Sequence, residues 1–199
     1  MSEGIKFRIL QKAIELFNER GFESVSMRDI AEELNISPGN LTYHFRKKTD
    51  ILNGIISLLM EEHNKMNYKP EITLREFDSI LMQVEEHHKH YSFYYKNIIE
   101  FKNKYPEIAQ LQKDYKIEFI AIISKTFCYL EQNGWVKPEK RERLYDDLSI
   151  AVLAIAAFEN QIDLNRDMRE IIWSVIYPVL TEEGIKEYQT LNRRLDTSG

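Results

Sequence analysis

From residue 37 to residue 48 the chain reads Ser-Pro-Gly-Asn-Leu-Thr-Tyr-His-Phe-Arg-Lys-Lys, and its side chains divide into two kinds of chemistry. Leu41 and Phe45 are apolar and one helical turn apart. Gly39, Asn40, Thr42, Tyr43 and His44 fall on the other side, and Arg46, Lys47 and Lys48 follow as three consecutive cations. Short polar groups on the outer face of a thin helix suit hydrogen bonding to base edges in a groove, and the cations suit the flanking phosphates. Periodicity alone equally allows a small helical hairpin with a solvated run of charge.

The elements that must hold this segment are legible upstream. Ile9, Ala13, Leu16 and Phe17 recur at helical spacing, and Gly21 stands where a left-handed residue would end that helix. Ser26 with Asp29 three residues on reads as a near capping box opening a second helix, whose buried side is Ile30, Ala31 and Leu34. Asn35 can take the left-handed conformation that closes it, and Ile36 plugs the turn. Ser37-Pro38 opens the third helix, serine as cap and proline in the first turn. The result is two short helices joined by a tight turn.

Beyond the head the punctuation is all-helical. Seven glycines and five prolines in 199 residues are few, and most fall between periodic segments. Sustained two-residue alternation is missing, so the reading is helices near 4–20, 27–34, 38–44, 48–68, 73–103, 107–133, 139–162, 167–181 and 183–194. The net charge of −5 argues against a protein that coats nucleic acid by bulk charge. Residues 1–50 balance eight basic against eight acidic side chains, so the whole excess lies in the remainder. A single cysteine, Cys128, excludes an internal disulfide; the N-terminus lacks a secretory pattern, and the longest apolar runs, 148–158 and 171–181, are too short to span a membrane. A soluble, cytoplasmic protein with no membrane association is expected.

Ser26, Asp29-Ile30-Ala31, Leu34, Ile36-Ser37, Gly39, Leu41, Tyr43-His44-Phe45, Lys48 and Ile51-Leu52 together resemble the helix-turn-helix signature of TetR-family regulators over roughly residues 5–53. Three positions depart from it: Ser26 stands where threonine is usual, Asn35 where glycine is usual, and Lys47 where a small capping residue is frequent. The resemblance implies an all-α fold, with a three-helix DNA-binding domain at 1–47 and a helical effector-binding and dimerisation domain at 48–199. It implies DNA contacts from Ser26, Arg28, Ser37, Gly39, Asn40, Thr42, Tyr43, His44, Lys47 and Lys48. Among these, Ser26, Tyr43, His44 and Lys48 would touch phosphates, while Arg28, Asn40 and Thr42 would read bases. A single recognition helix binds weakly, so two heads on a palindromic double-stranded operator are expected about 34–36 Å apart, or a multiple of it.

Two apolar stripes are the expected pairing surface of a homodimer: Leu148, Ala151, Val152, Ile155 and Phe158, and then Ile171, Ile172, Val175, Ile176 and Val179. The alternative is that both stripes are intramolecular core. In the middle of the chain, Phe77, Leu81, Val84, His88, Tyr91, Tyr95 and Ile98 share one face of a long helix, opposite Tyr115, Phe119, Ile122, Ile123, Phe127 and Leu130. His88, Tyr91 and Tyr95 with Tyr115 and Phe119 are the expected pocket for an unidentified small hydrophobic or aromatic effector, although a satisfied buried histidine is the commoner outcome. The run Glu85-Glu86-His87-His88-Lys89-His90 invites a metal reading, but successive helical residues rotate by about 100°, so the three histidines diverge. No metal and no cofactor are expected.

A ligand-responsive repressor would pass an effector's push to DNA through residues 48–68, with Gly54 easing a bend in that helix. A regulator with a filled body, answering to a protein partner or to nothing, has the same sequence signature. The chain carries no phosphate-cradling glycine loop, nucleophile elbow or HExxH run, so an enzyme is not expected.

Overall fold

The computed structural model describes residues 2–66, 68–159 and 166–195, and it divides into two compact units. The first comprises residues 1–65 and 87–96; the second comprises 66–86 and 97–199. Among the described residues every regular element is helical, apart from an isolated antiparallel bridge between Val136 and Leu180.

The first unit opens with α1 (Ser2–Arg20), which buries Ile9, Ala13, Ile14, Leu16 and Phe17 and ends on Gly21 at φ 82°. Two short helices follow, α2 (Met27–Glu33) and α3 (Pro38–His44). The turn between them passes through Asn35 at φ 53°, the left-handed conformation its short amide tolerates. α4 (Lys48–Lys65) then buries Ile51, Leu52, Ile55, Ile56 and Leu59, which return every three or four residues. This packing carries the compact unit past residue 47, where the sequence drew its boundary. Gly54 lies inside the uninterrupted α4, and a Cβ there would sit 2.9 Å from Leu10 Cδ2 and 3.4 Å from Phe45 Cε1. Its missing side chain serves the close approach of α1.

The long helix expected over 73–103 is three helices: α5 (Leu74–His90), α6 (Ser92–Lys96) and α7 (Ile98–Lys104). The cause of the first break is a side chain on another helix. Asn18 of α1 donates its amide to the His90 carbonyl at 2.8 Å, and its carbonyl oxygen accepts from Phe93 N–H at 2.9 Å and Ser92 Oγ at 3.0 Å. One amide thus satisfies backbone groups that a continuing helix would have bonded itself. Nothing in residues 73–103 carries that signal.

In the second unit α8 (Pro106–Gln132) packs on α7 and on α9 (Leu144–Phe158), and α9 packs on α10 (Met168–Ile176). The core joins Phe77, Leu81, Ile123, Phe127, Val152, Met168, Ile172 and Trp173. α9 begins at residue 144 rather than 139, after Arg143 at φ 65°; the last residues of the expected helix, 160–162, lie outside the described residues. The helix expected over 167–181 stops at Ile176, ahead of Pro178, in a 3₁₀ turn over Tyr177–Val179, and α11 (Glu182–Leu195) follows. A Cβ on Gly184 would fall 2.1 Å from the Trp135 carbonyl oxygen, so only glycine lets α11 start against that backbone.

A candidate DNA-binding surface

The local chemistry of the head begins with two caps. Ser26 Oγ accepts from Asp29 N–H at 3.2 Å, while Asp29 Oδ2 accepts from Ser26 N–H and from Ser26 Oγ, both at 2.7 Å. This completes the capping box, and those hydrogen bonds hold the Asp29 carboxyl below the usual carboxylate range. Ser37 Oγ accepts from Asn40 N–H at 3.1 Å and starts α3. Each cap fixes where its helix begins, and so which residues face outward.

Leu41 is fully buried beneath α3 and Phe45 is 9% exposed. With those two anchored inward, Gly39, Asn40, Thr42 and Tyr43 are exposed, and His44 is half-buried. Tyr43 is 83% exposed, so its ring does not pack on the core of the head; it meets only the edge of His44, at 5.1 Å between centroids. Thr42 Oγ1 donates back to its own helix, 3.0 Å from the Pro38 carbonyl and 3.1 Å from that of Gly39. Its methyl and lone pairs are left for any contact outside. Arg28, Arg46 and Lys47 are exposed, and the backbone N–H of Lys47 donates to Asp50 Oδ2 at 3.1 Å.

Two expected phosphate contacts are committed elsewhere. The hydroxyl proton of Ser26 goes to Asp29, so Ser26 acts as a cap and has none to offer an anion. Lys48 Nζ donates to the carbonyls of Phe22 at 2.8 Å, Val25 at 3.0 Å and Glu23 at 3.3 Å, and lies 4.4 Å from the centre of the Phe22 ring. An ammonium has three N–H donors, and three carbonyls occupy them. The sequence offered no sign of this, because the acceptors are backbone atoms.

The residues expected to line an effector pocket are split between the units. His88, Tyr91 and Tyr95 are buried in the first, Tyr115 and Phe119 half-buried in the second. Tyr91 and Tyr95 belong to a polar network around α4 with His87, and the His88 ring lies 3.8 Å from that of Tyr95. Tyr91 Oη donates to Glu62 Oε2 at 2.8 Å; Tyr95 Oη lies 3.2 Å from His87 Nδ1; and His87 Nε2 lies 3.2 Å from the Leu59 carbonyl. A carbonyl only accepts, so His87 carries its proton on Nε2 and accepts from Tyr95 on Nδ1. The sequence missed His63 of α4, whose ring is 5.4 Å from that of His87. Burial lowers the His63 pKa to about 3 and that of His87 to about 4, assisted by repulsion among neighbouring histidines, so both are neutral near pH 7. His87 is buried, whereas His90 is exposed. Among the described residues no three His, Cys, Asp or Glu side chains are grouped to hold a metal ion.

In the second unit an apolar cavity of about 30 Å³ is lined by residues including Tyr68, Phe77, Phe119, Ile123, Val152 and Ile172. Val152, Ile172 and Ile176, expected at a dimer interface, are between 0% and 2% exposed within the chain's own core. A side chain with no surface left cannot cover a partner, which corrects that assignment. Leu148 and Ile155 are half-buried, and the apolar residues that face outward include Ile150, Ala154 and Phe158 on α9, with Tyr177 just past α10. An i, i+4, i+8 set is one face of a helix.

Residues 9–55 match the family described as bacterial regulatory proteins, tetR family. The HTH-type transcriptional regulator UidR of Escherichia coli K12 is 28% identical over 155 residues, covering 74% of this chain and 79% of that one. The biofilm operon icaADBC HTH-type negative transcriptional regulator IcaR of Staphylococcus aureus strain Newman is 29% identical over 90 residues, 41% of this chain and 48% of its own. A TetR-family transcriptional regulator from Marinobacter aquaeolei VT8 superposes with a TM-score of 0.84 at 27% identity, over 95% of this chain and 97% of that one. A capped recognition helix, a left-handed turn before it and an all-helical body behind it agree with these likenesses, and the chain is similar to the TetR family of DNA-binding transcriptional regulators.

Proposed function

We propose that this regulator is a cytoplasmic homodimeric repressor that binds a palindromic double-stranded operator through α2 and α3 and leaves it when a small hydrophobic or aromatic effector binds the helical body. The observation that carries the DNA-facing half is the outer side of α3: Leu41 is fully buried, Tyr43 is 83% exposed, and Gly39, Asn40 and Thr42 share that open side. Asn40 suits adenine and Arg28 suits guanine by paired hydrogen bonds, each worth about 1–3 kcal/mol of discrimination. Thr42, its hydroxyl proton committed to α3, suits a thymine methyl. Ser37 and Gly39 let the start of α3 approach a strand closely, while Tyr43, His44, Arg46 and Lys47 meet phosphates. Residues 1–47 hold the DNA contacts, and 48–199 carry control and pairing.

Dimerisation rests on the apolar face of Ile150, Ala154 and Phe158 together with Tyr177, which the monomer leaves exposed. Repression is supported by the negative regulator IcaR. The effector site is the cavity beside Tyr68, Phe77 and Phe119, whose lining favours an apolar ligand. Its roughly 30 Å³ is near the volume of one water, so an effector must displace side chains to enter. That small volume favours a second reading, in which the body is filled and control comes from a protein partner or is absent.

A gel shift on the DNA flanking the chain's own gene, repeated across salt and with a ligand library, tests both. Binding that weakens with salt and is released by an apolar ligand is expected. Release by no ligand leaves the second reading in place, and binding unaffected by Arg28→Ala and Asn40→Ala overturns the assigned base contacts.

A further inference from the structure

We infer that Lys48 is a positioning residue for DNA binding, a strut that holds α2 and α3 at a fixed angle to α4, and that it does not itself touch the phosphate backbone. The inference rests on the DNA-binding reading and changes what one of its residues does. Lys48 and Phe22 are 26 residues apart in sequence, and the stretch between them contains α2, α3 and both caps. Bonding the ammonium to carbonyls 22, 23 and 25 closes that stretch into a ring. The carbonyls belong to the loop that ends at Ser26, so the strut ties the first turn of α4 to the residue that starts α2. Phe45 packs on the same stretch of α4 near Gly54 and holds the other end of α3. Any displacement at the N-terminus of α4 is therefore passed to α2 and α3 together.

The geometry is specific to an ammonium. Its donors diverge tetrahedrally from one nitrogen and suit three carbonyls that converge on a point, whereas a guanidinium is a planar fork suited to carboxylates and phosphates. Arginine at position 48 thus preserves the charge and would improve a phosphate contact, but cannot reproduce the strut. This separates the two roles without removing the charge.

The test uses the full-length chain and a duplex that the wild-type protein enriches from a random pool. Affinity is measured against salt for wild type, Lys48→Met, Lys48→Arg and Lys47→Ala, and amide exchange of residues 22–26 is followed without DNA. Lys48→Met is expected to weaken binding roughly tenfold, as loss of bonds to a charged donor implies, with the salt slope of wild type and faster exchange in the loop. Lys48→Arg is expected to restore neither affinity nor protection. Lys47→Ala is expected to lower the slope by about one and leave exchange alone. Should Lys48→Met fail to fold, Lys48→Arg alone decides. Arginine binding as tightly as wild type, or a slope reduced by about one in Lys48→Met with the loop still protected, overturns the strut. If no duplex is enriched, the DNA-binding reading fails instead, and the exchange measurements still decide whether Lys48 holds the loop.

Discussion

Each unit of the molecule buries a polar cluster, and the two use opposite chemistry. In the second unit Asp78 accepts from Arg169 Nε at 2.5 Å, from a second guanidinium nitrogen at 3.1 Å and from Trp173 Nε1 at 2.8 Å. Both charged partners are largely buried, so charge is matched to charge with a third donor sharing the carboxylate. In the first unit His63 and His87 are buried by giving up charge, and His87 accepts from the Tyr95 hydroxyl on Nδ1 while donating from Nε2 to the Leu59 carbonyl. A buried ion pair is intolerant of losing either member. A neutral imidazole network tolerates replacement better, and remains open to acid.

Breaking the ion pair is the largest expected effect. Asp78→Ala leaves Arg169 and Trp173 Nε1 without their shared acceptor and is expected to lower unfolding free energy by about 3–5 kcal/mol in urea titrations. The comparison is wrong if it costs no more than an ordinary surface substitution.

His87→Phe keeps an aromatic ring but removes the hydrogen bonds to the Leu59 carbonyl and from the Tyr95 hydroxyl, and is expected to cost about 2 kcal/mol by the same measurement. The acid limb belongs to the same cluster. The folded pKa values of His63 and His87, about 3 and about 4, lie below the unfolded value near 6.5. The unfolded chain therefore takes up protons first, and stability is lost progressively as pH falls from about 6.5 toward 3–4. A double variant, His63→Phe with His87→Phe, is expected to flatten that limb, and an unchanged limb would locate the acid sensitivity elsewhere.

Asn18→Ala removes three hydrogen bonds at the α5–α6 break, partly exposed to water, and is expected to cost about 1–2 kcal/mol. Lys47→Ala is the smallest, within about 0.5 kcal/mol on folding, its effect confined to DNA binding.

What the sequence disclosed divides along the same lines. The head was legible because its signals are local. Ile9, Ala13, Leu16 and Phe17 stand three or four apart, Ser26 and Asp29 cap within one turn, and Asn35 needs only its own backbone. The outward face of α3 followed from the burial of Leu41 and Phe45. What stayed hidden depends on partners far along the chain: Asn18 breaking a helix more than seventy residues away, His63 joining His87, and Lys48 reaching the loop at Phe22. The exposed side of α9 was misread for a related reason. A helix such as α9 with apolar residues around most of its circumference does not announce which side faces the core, so Val152 was assigned outward and Ile150 overlooked.

Gly54 has a practical consequence for recombination between relatives. Because α1 and the end of α3 lie against its bare backbone, a DNA-reading cassette cut at residue 47 would meet a foreign fourth helix, and any side chain at its matching position would wedge Leu10 and Phe45 apart. A chimera that exchanges residues 1–65 carries the glycine together with the two residues it accommodates. The exchangeable cassette is thus longer than the part proposed to touch DNA: it runs through α4 and takes with it residues 87–96, which complete the same unit.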